Sequence, residues 1–263
     1  MKTQTVEHGS FLHLKKGFKV TGPFICRKER KMASSVMIRP IDQFDANSVA
    51  FSNINKNEKG GKAVYLSLPG KQKLLFQLPV MRAPFGLSNY VDKTSGKSSY
   101  SLSLDLANHP EIAAQFRAFD DKVVDFAVAN SDALLGKRYT REVIREALYK
   151  SPLRKDKDGK YADTLYLKVM TTRDEKSFAV EAYESNKKPT DLSSLDKGRN
   201  VVTIIEVSQV WVVDNKFGVS VRLMQIMFAP KTELRGFSFV GVEDIPAAEG
   251  EDEDEEMVAD EDV

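Results

Sequence analysis

Cysteine, histidine and tryptophan are scarce in this chain of 263 residues, which holds one Cys, three His and one Trp. The single Cys26 excludes an internal disulfide and a cysteine-based zinc site, and it fits a reducing compartment. His8, His13 and His109 leave little material for metal chemistry or for histidine-dependent catalysis. We therefore expect no metal, no cofactor and no enzymatic activity.

Long apolar runs are missing too. The longest, such as residues 210–213, fall far short of the ~20 residues that a membrane span needs, and the N-terminus has no apolar signal-peptide segment. The sequence therefore predicts a soluble, intracellular protein without membrane contact.

Motifs for nucleotide or calcium binding are incomplete. Residues 59–62 read Lys-Gly-Gly-Lys, but the spacing differs from that of a phosphate-binding loop and no strand precedes them. Residues 156–159 read Asp-Lys-Asp-Gly, yet the later oxygen ligands of a calcium loop are absent. We expect a turn there.

Charge is unevenly distributed along the chain. Residues 243–263 contain twelve acidic residues and no basic one, so residues 1–242 hold 39 Lys and Arg against 26 Asp and Glu, a net charge of +13. Beyond Pro246 the composition cannot support a core. The sequence therefore predicts one basic folded domain over residues 1–245, with an N-terminal extension, and a disordered acidic tail over residues 246–263.

Alternating patterns predict strands in two parts of the chain. Residues 63–68, 73–80 and 98–106 alternate before the middle of the chain, and residues 163–170 and 178–183 do so after it. Residues 201–213 and 217–228 form a predicted hairpin, with residues 214–216 as its connection. Its second strand is expected to turn Phe217, Val219, Val221, Leu223 and Met227 inward.

A long amphipathic helix is predicted between residues 108 and 130. Asn108 can act as its N-cap, and Pro110 is tolerated in the first helical turn. Apolar residues then recur at steps of 4, 3, 4 and 3. They are Ile112, Phe116, Phe119, Val123 and Phe126.

A shorter helix is predicted from residue 140 to 150. Its Glu142 and Glu146 are expected to pair with Arg145 and Arg141, which lie on the same helix. The acidic residues of the long helix, Asp120, Asp121 and Asp125, are expected on its polar side. These carboxylates therefore have structural explanations, and a metal-dependent nuclease is not indicated.

The order of elements is strands, a long helix, a short helix, then strands again. Because no β-α-β alternation occurs, we predict a mainly β fold: a closed or partly closed antiparallel barrel with an inserted α-helix.

Basic and aromatic residues occur close together at several points. A protein that binds single-stranded nucleic acid needs cations for phosphates and aromatic faces for unstacked bases, and this chain supplies both. Alternation places Tyr166 and Lys168 on one wet strand face, whereas burial and nucleic-acid contact are equally compatible with Trp211. The candidate nucleic-acid-binding residues are Arg82, Phe85, Tyr90, Lys93, Lys97, Arg154, Lys155, Lys157, Lys160, Tyr161, Tyr166, Lys168, Trp211, Lys216 and Arg222.

The acidic tail can imitate a polyanion. A flexible, negatively charged segment tethered to a basic body can occupy a cationic groove until nucleic acid displaces it. A tail that only maintains solubility is the alternative. The candidate partner-binding residues of the tail are Glu251, Asp252, Glu253, Asp254, Glu255, Glu256, Asp260, Glu261 and Asp262.

The order of these features resembles the single-stranded DNA-binding protein family of T-seven-like bacteriophages, with relatives in large eukaryotic DNA viruses. The similarity covers residues 98–263: the strand at 100–106 before the Pro110 helix, the loop at 152–161 before a strand, the hairpin with Trp211, and the acidic C-terminus. Residues 1–95 exceed the phage pattern, which suggests the virus branch. The tail ends in Asp262-Val263, whereas the phage tail ends in an aromatic residue.

The resemblance implies an OB-fold that coats single strands during viral DNA replication, recombination or repair, in the replication compartment of the host cell. It also implies an acidic tail that guards the DNA groove and docks DNA polymerase or helicase/primase, and a homo-oligomer is compatible with it. A single-stranded RNA-binding OB protein is not separated from a DNA binder by stacking residues alone. An acidic-tailed interaction or assembly protein is a third class, against which the net charge of +13 argues.

Overall fold

The structure is a computed structural model that describes residues 37–57, 60–156, 158–174, 177–230 and 240. The chain divides into two units at residue 36, and all described residues belong to the second. Lys157 and the acidic residues 251–262, all named above as candidate binding residues, lie outside the described residues.

The described residues form fifteen strands and three α-helices. The strands are β1 (Arg39–Pro40), β2 (Ala50–Phe51), β3 (Asn55–Lys56), β4 (Lys62–Ser67), β5 (Leu74–Gln77), β6 (Met81–Ala83), β7 (Leu87–Val91), β8 (Ser98–Asp105), β9 (Tyr149–Lys150), β10 (Leu153–Arg154), β11 (Thr164–Val169), β12 (Glu181–Tyr183), β13 (Pro189–Thr190), β14 (Arg199–Val213) and β15 (Lys216–Phe228). The helices are α1 (Pro110–Ala129), α2 (Ser131–Leu135) and α3 (Arg141–Val143), and α3 continues as a π-helical segment, Ile144–Leu148.

The main path of the sheet runs in the order β1-β5-β14-β15-β11-β8-β7. Strands β4 and β6 also pair with β14, and β9 and β12 with β15. The fold is mainly β, an OB-fold-like barrel with helices inserted between β8 and β11, which confirms the prediction. It is not wholly antiparallel, because β1–β5, β9–β15, β11–β15 and β12–β15 form short parallel ladders. None of the described helices is long and apolar enough to span a membrane.

The β14–β15 hairpin forms the centre of the sheet. Its connection has two residues, Asp214 and Asn215, with φ of 49° and 61°. Asp and Asn tolerate this left-handed conformation, and two such residues match the twist of the flanking strands. Register shifts after Ile204 and Val207 interrupt the alternation. Because the first shift places one extra residue, Met224, in β15, Ile226 is buried instead of Met227, contrary to the sequence prediction.

The apolar side of helix α1 packs against the core through aromatic side chains. Phe116 and Phe119 are fully buried, and their ring centroids lie 5.7 and 5.5 Å from that of Phe44. The helix begins one residue later than the predicted cap implies. Its N-cap is His109, which makes no side-chain capping bond, and not Asn108.

The carboxylate of Asp120 is buried, not on the polar side of α1 as the sequence indicates. The residue is 6% exposed, and the hydroxyl of Tyr149 donates to its Oδ1 at 2.5 Å, while Ser151 donates to Oδ2. Desolvation raises the pKa of Asp120 to about 6, although these two hydrogen bonds act in the opposite direction. The residue therefore ties α1 to the segment that leads into β10.

The basic residues of the short helical segment pair with α1, not with the glutamates of their own helix. Arg141 contacts Asp121 at 2.9 Å and Asp125 at 2.8 Å, and Arg145 also contacts Asp121. The predicted pairs with Glu142 and Glu146 are therefore wrong. Tertiary packing places α1 within reach, and the two guanidinium groups lower the pKa of Asp121 despite partial desolvation.

Replacing Asp120 with Asn is expected to remove part of the pH dependence of stability. The pKa of this carboxyl rises from 3.8 to about 6 on folding, so between these values the folded state binds more protons and stability falls as pH rises. At about 1.4 kcal/mol per tenfold change in proton affinity, the loss is about 3 kcal/mol above pH 6. Urea denaturation of both proteins at several pH values from acid to neutral should show Asp120→Asn gaining stability relative to wild type. A constant difference would contradict the assignment.

Candidate nucleic-acid interface

One outer face is shared by β8, β11, β15 and β14. Residues paired directly across neighbouring strands lie on the same side of a sheet. Ser101 pairs with Lys168, and Lys168 pairs with Arg222. Further along the hairpin, Trp211 pairs with Gly218. These side chains therefore point away from the barrel core, and we call this surface the outer face.

A cleft of about 490 Å³ lies on the outer face. It brings together residues from β8, β10, β11, β14 and β15. Among the described residues that line it there are two cations and no carboxylate, so its field favours an anion. The lining residues are Ser99, Tyr100, Arg154, Tyr166, Lys168, Gln209, Trp211, Val213, Val219, Ser220 and Val221.

Tyr166 and Arg154 form a stacked pair in the cleft. The guanidinium carbon of Arg154 lies 4.0 Å from the centroid of the Tyr166 ring, and the ring is half-buried. Arg154 is placed there because β10 pairs with the start of β11. Planar guanidinium groups and aromatic rings both stack on unpaired bases. The pair therefore offers a base platform with a positive charge beside it.

Trp211 is held in a fixed position by Gly218. A Cβ atom at position 218 would lie 2.9 Å from Cζ2 of the indole and 2.6 Å from the carbonyl oxygen of Lys150. Only glycine therefore fits between the ring and the neighbouring backbone. The sequence left burial and nucleic-acid contact equally open for Trp211. In the structure the indole is half-buried, and its accessible part lines the cleft.

Lys168 and Arg222 place two cations side by side on the outer face. Nη1 of Arg222 lies 4.0 Å from Oε2 of Glu206, and Nζ of Lys73 lies 3.4 Å from Oε1 of the same carboxylate. The alternation indicates that Arg222 points to solvent. In the structure its side chain is half-buried and already contacts the Glu206 carboxylate. Because Lys73 shares the charge of Glu206, the cluster keeps a net positive charge next to the cleft.

The β7–β8 hairpin borders the cleft with three of the predicted residues. Tyr90 is exposed and pairs with Ser99, a lining residue, while Lys93 and Lys97 are exposed in the turn. Asp92 holds this turn, since its Oδ1 accepts from the backbone N–H of residue 94 at 2.7 Å and of residue 95 at 3.1 Å. These hydrogen bonds lower the pKa of Asp92 and keep it ionised.

The loop between β10 and β11 carries a second group. Lys155 and Lys160 are exposed, Tyr161 is 70% exposed, and Nζ of Lys160 lies 5.6 Å from the Tyr161 ring centroid. Oδ2 of Asp156 accepts from the backbone N–H groups of residues 160 and 161. Asp156 therefore stabilises the turn. The side chains of Lys155, Lys160 and Tyr161 remain exposed in the loop that follows Arg154. Lys216 lies at the hairpin turn, paired with Val213, which lines the cleft.

Arg82 and Phe85 are not brought to the cleft. Arg82 pairs with Asn200 near the start of β14, whereas the cleft uses Gln209 and Trp211 near the end of the strand. Gln209 lies nine positions after Asn200 along β14, which corresponds to about 30 Å. Phe85 follows β6 and is 57% exposed at that distant end.

Several lining residues escaped sequence reasoning. Ser99, Gln209 and Ser220 carry no motif, and only their place opposite the inward residues of their strands could have indicated them. The alternation of residues 98–106 groups Tyr100 with the buried Leu102 and Leu104, but Tyr100 is half-buried at the last pair of the β8–β11 ladder, with its ring 5.0 Å edge-on to that of Phe178. Strand ends allow such a ring to reach the cleft.

The part of the chain that the structure describes holds no cluster of three or more His, Cys, Asp or Glu side chains that could bind a metal ion. Its one strongly shifted carboxyl, Asp120, is buried against Tyr149 and Ser151. The chemistry available on the outer face is therefore stacking, hydrogen bonding and charge neutralisation.

Fold and site together define an OB-fold-like barrel with a basic, aromatic cleft on its outer face. The chain belongs to a protein family of unknown function, DUF5871, whose model matches residues 92–238. No curated protein matches the sequence.

Two of the solved structures that match part of this chain are phage proteins. The single-stranded DNA-binding protein from bacteriophage Enc34 in complex with ssDNA is 12% identical, with 70% of this chain and 97% of that chain covered and a TM-score of 0.38. The single-stranded DNA-binding protein gp2.5 encoded by bacteriophage T7 is 16% identical, with 68% and 97% covered and a TM-score of 0.39. At these values the neighbours' activity is not transferred to this chain by similarity.

Proposed function

We propose that the protein binds single-stranded DNA across the outer face without sequence preference. The observation that carries this proposal is the cleft itself, where the Arg154–Tyr166 stack and Trp211 lie beside Lys168 and no described lining residue is acidic. Bases would stack on the rings, and phosphates would follow the cations, as in other single-strand binding grooves.

The shape of the site argues against duplex binding. Its aromatic groups can stack only on bases whose faces are free, and in a duplex these faces are covered by neighbouring base pairs. Few hydrogen-bonding side chains line the cleft, namely Ser99, Gln209 and Ser220 besides the charged and aromatic residues. Recognition of base edges therefore has little material, which supports sequence independence.

The wider role follows from the resemblance of the sequence to phage and viral single-strand binders. In this proposal the protein coats and protects single strands during viral DNA replication, recombination or repair in a large DNA virus. Residues 246–263 would gate the cleft and dock a polymerase or helicase/primase, and the coating role is compatible with a homo-oligomer. Single-stranded RNA is the competing ligand, because stacking does not depend on the sugar.

Titrating the full chain with single-stranded DNA, single-stranded RNA and duplex DNA tests the proposal. We expect micromolar or tighter binding to single-stranded DNA, which weakens with salt by about 0.7 log units per log unit of salt for each phosphate neutralised. Four to six contacts, from cations such as Arg154, Lys168, Lys216 and Arg222, give a log–log slope of roughly −3 to −4.

Fluorescence anisotropy with labelled oligonucleotides of mixed sequence at several salt concentrations measures this slope. Equal affinity for duplex, or affinity independent of salt, would overturn the proposal. Tighter binding to RNA at the same salt would instead assign the protein to the RNA-binding class.

A further inference from the structure

Tyr65 extends the outer face beyond the cleft. In the β4–β14 ladder Tyr65 pairs directly with Gln209, which lines the cleft, so both side chains lie on the same side of the sheet. Strand β4 is the next strand outward from Trp211. The sequence of residues 63–68 indicates only an ordinary strand and no role for Tyr65.

The side chain of Tyr65 is available for a ligand. The residue is 52% exposed, and among the described residues its ring and hydroxyl make no hydrogen bond, ring contact or ion pair. Its backbone is nevertheless fixed, because its N–H donates to Oγ of Ser52 at 2.9 Å and its carbonyl accepts from the N–H of the same residue. The ring is therefore presented from a rigid strand.

A single exposed tyrosine is ordinary on a protein surface. Tyr65 differs because of its place in a series: the outer face carries Tyr90 on β7, Tyr166 on β11, Trp211 on β14 and Tyr65 on β4. Aromatic rings spaced along a basic surface suit a ligand that offers one flat group after another.

Strand spacing sets the length of this series. Three strand steps of about 4.8 Å separate β8 from β14, about 14 Å in all, whereas five steps separate β7 from β4, about 24 Å. At about 3.4 Å per stacked nucleotide, the cleft alone accommodates roughly four nucleotides and the full series roughly seven. Splayed bases would lower both numbers.

We propose that Tyr65 stacks on a base outside the cleft, so that one protein binds a longer single strand than the cleft itself can hold. This inference rests on the proposed function and adds a residue and a binding-site length to it. The order of the β-strands defines the path of the nucleic acid, which crosses from the β7–β8 hairpin over the cleft to β4.

The test compares oligothymidylates of 4 and 12 nucleotides on full-length protein. Tyr65→Ala should weaken binding of the 12-mer roughly 5- to 150-fold, the effect of losing one base stack, and leave the 4-mer within the cleft nearly unchanged. Tyr65→Phe keeps the ring and should bind both like wild type. Tyr65→Thr, which suits a strand better than Ala, repeats the measurement if Tyr65→Ala folds poorly.

Two reference variants separate the possible failures. Phe85→Ala removes a ring of similar exposure from the distant end of β14 and should change neither affinity. Trp211→Ala should weaken both oligonucleotides. If Trp211→Ala weakens binding while Tyr65→Ala matches wild type, or weakens both lengths equally, the inference is wrong and the proposed function stands. If neither variant changes binding, the proposed function fails together with the inference.

Discussion

Replacing Tyr166 and Trp211 together with Ala is expected to weaken binding to single-stranded DNA by about 2–6 kcal/mol, because each lost base stack is worth about 1–3 kcal/mol. This range corresponds to roughly 30-fold up to more than 10⁴-fold in affinity. Both rings line the same cleft, and neither is replaced by another aromatic group on its own strand. Anisotropy titration at one fixed salt concentration measures the loss.

The double variant needs controls for folding and for charge. Trp211 packs on Gly218, and Tyr166 carries the Arg154 guanidinium, so each single substitution also removes some native packing. Affinities are therefore expressed per folded molecule, and circular dichroism measures the folded fraction of each variant. Tyr166→Phe with Trp211→Phe keeps two rings and should retain most of the affinity. A double Ala variant that binds like wild type would exclude the cleft as the binding site.

The salt dependence of the same variants separates stacking from charge. Loss of two uncharged rings should lower affinity at every salt concentration and leave the slope nearly unchanged, because counterion release depends on the cations. Lys168→Ala should instead reduce the slope by about 0.7. These two patterns assign each side chain to bases or to phosphates without a structure of the complex.

Periodicity predicted the elements whose residues repeat without interruption. The steps of 4 and 3 identified α1, strict alternation identified β8, and two long β-rich runs around a short connection identified the β14–β15 hairpin. The extra residue Met224 in β15 has no sequence signature of its own, so the inward residue beyond Leu223 was misplaced. The alternation of residues 73–80 likewise groups Val80 with the buried Leu74, Phe76 and Leu78, yet β5 ends at Gln77 and Val80 is exposed.

The binding site was predictable where a side chain's direction follows from its own strand. Alternation correctly placed Tyr166 and Lys168 on one outer face. The local clustering of basic and aromatic residues could not show which distant segments meet, so it grouped Arg82 with the cleft residues and missed Gln209. The burial of Asp120 and the Arg222–Glu206 contact also depend on tertiary packing, which no local pattern reports.

Deleting residues 246–263 is expected to tighten binding to single-stranded DNA about tenfold at low salt. In the proposed gating, the carboxylates of the covalently attached tail would compete for the cations of the cleft at an effective concentration on the order of 1 mM. A competitor that binds with a dissociation constant roughly one tenth of that value lowers the apparent DNA affinity about tenfold. Deletion removes this competition and returns cations such as Lys168 and Arg154 to the phosphates.

Salt and charge distinguish competition from other effects of the tail. Interactions between exposed charges are screened over about 10 Å at 0.1 M salt, so the difference between full-length and shortened protein should shrink as salt rises. A full-length variant with the tail's Asp and Glu changed to Asn and Gln keeps the length and removes the charge, and it should bind like the deletion. If all three proteins give the same curve at every salt concentration, the tail does not gate the cleft. A deletion that weakens binding would show that the tail contributes contacts to the complex.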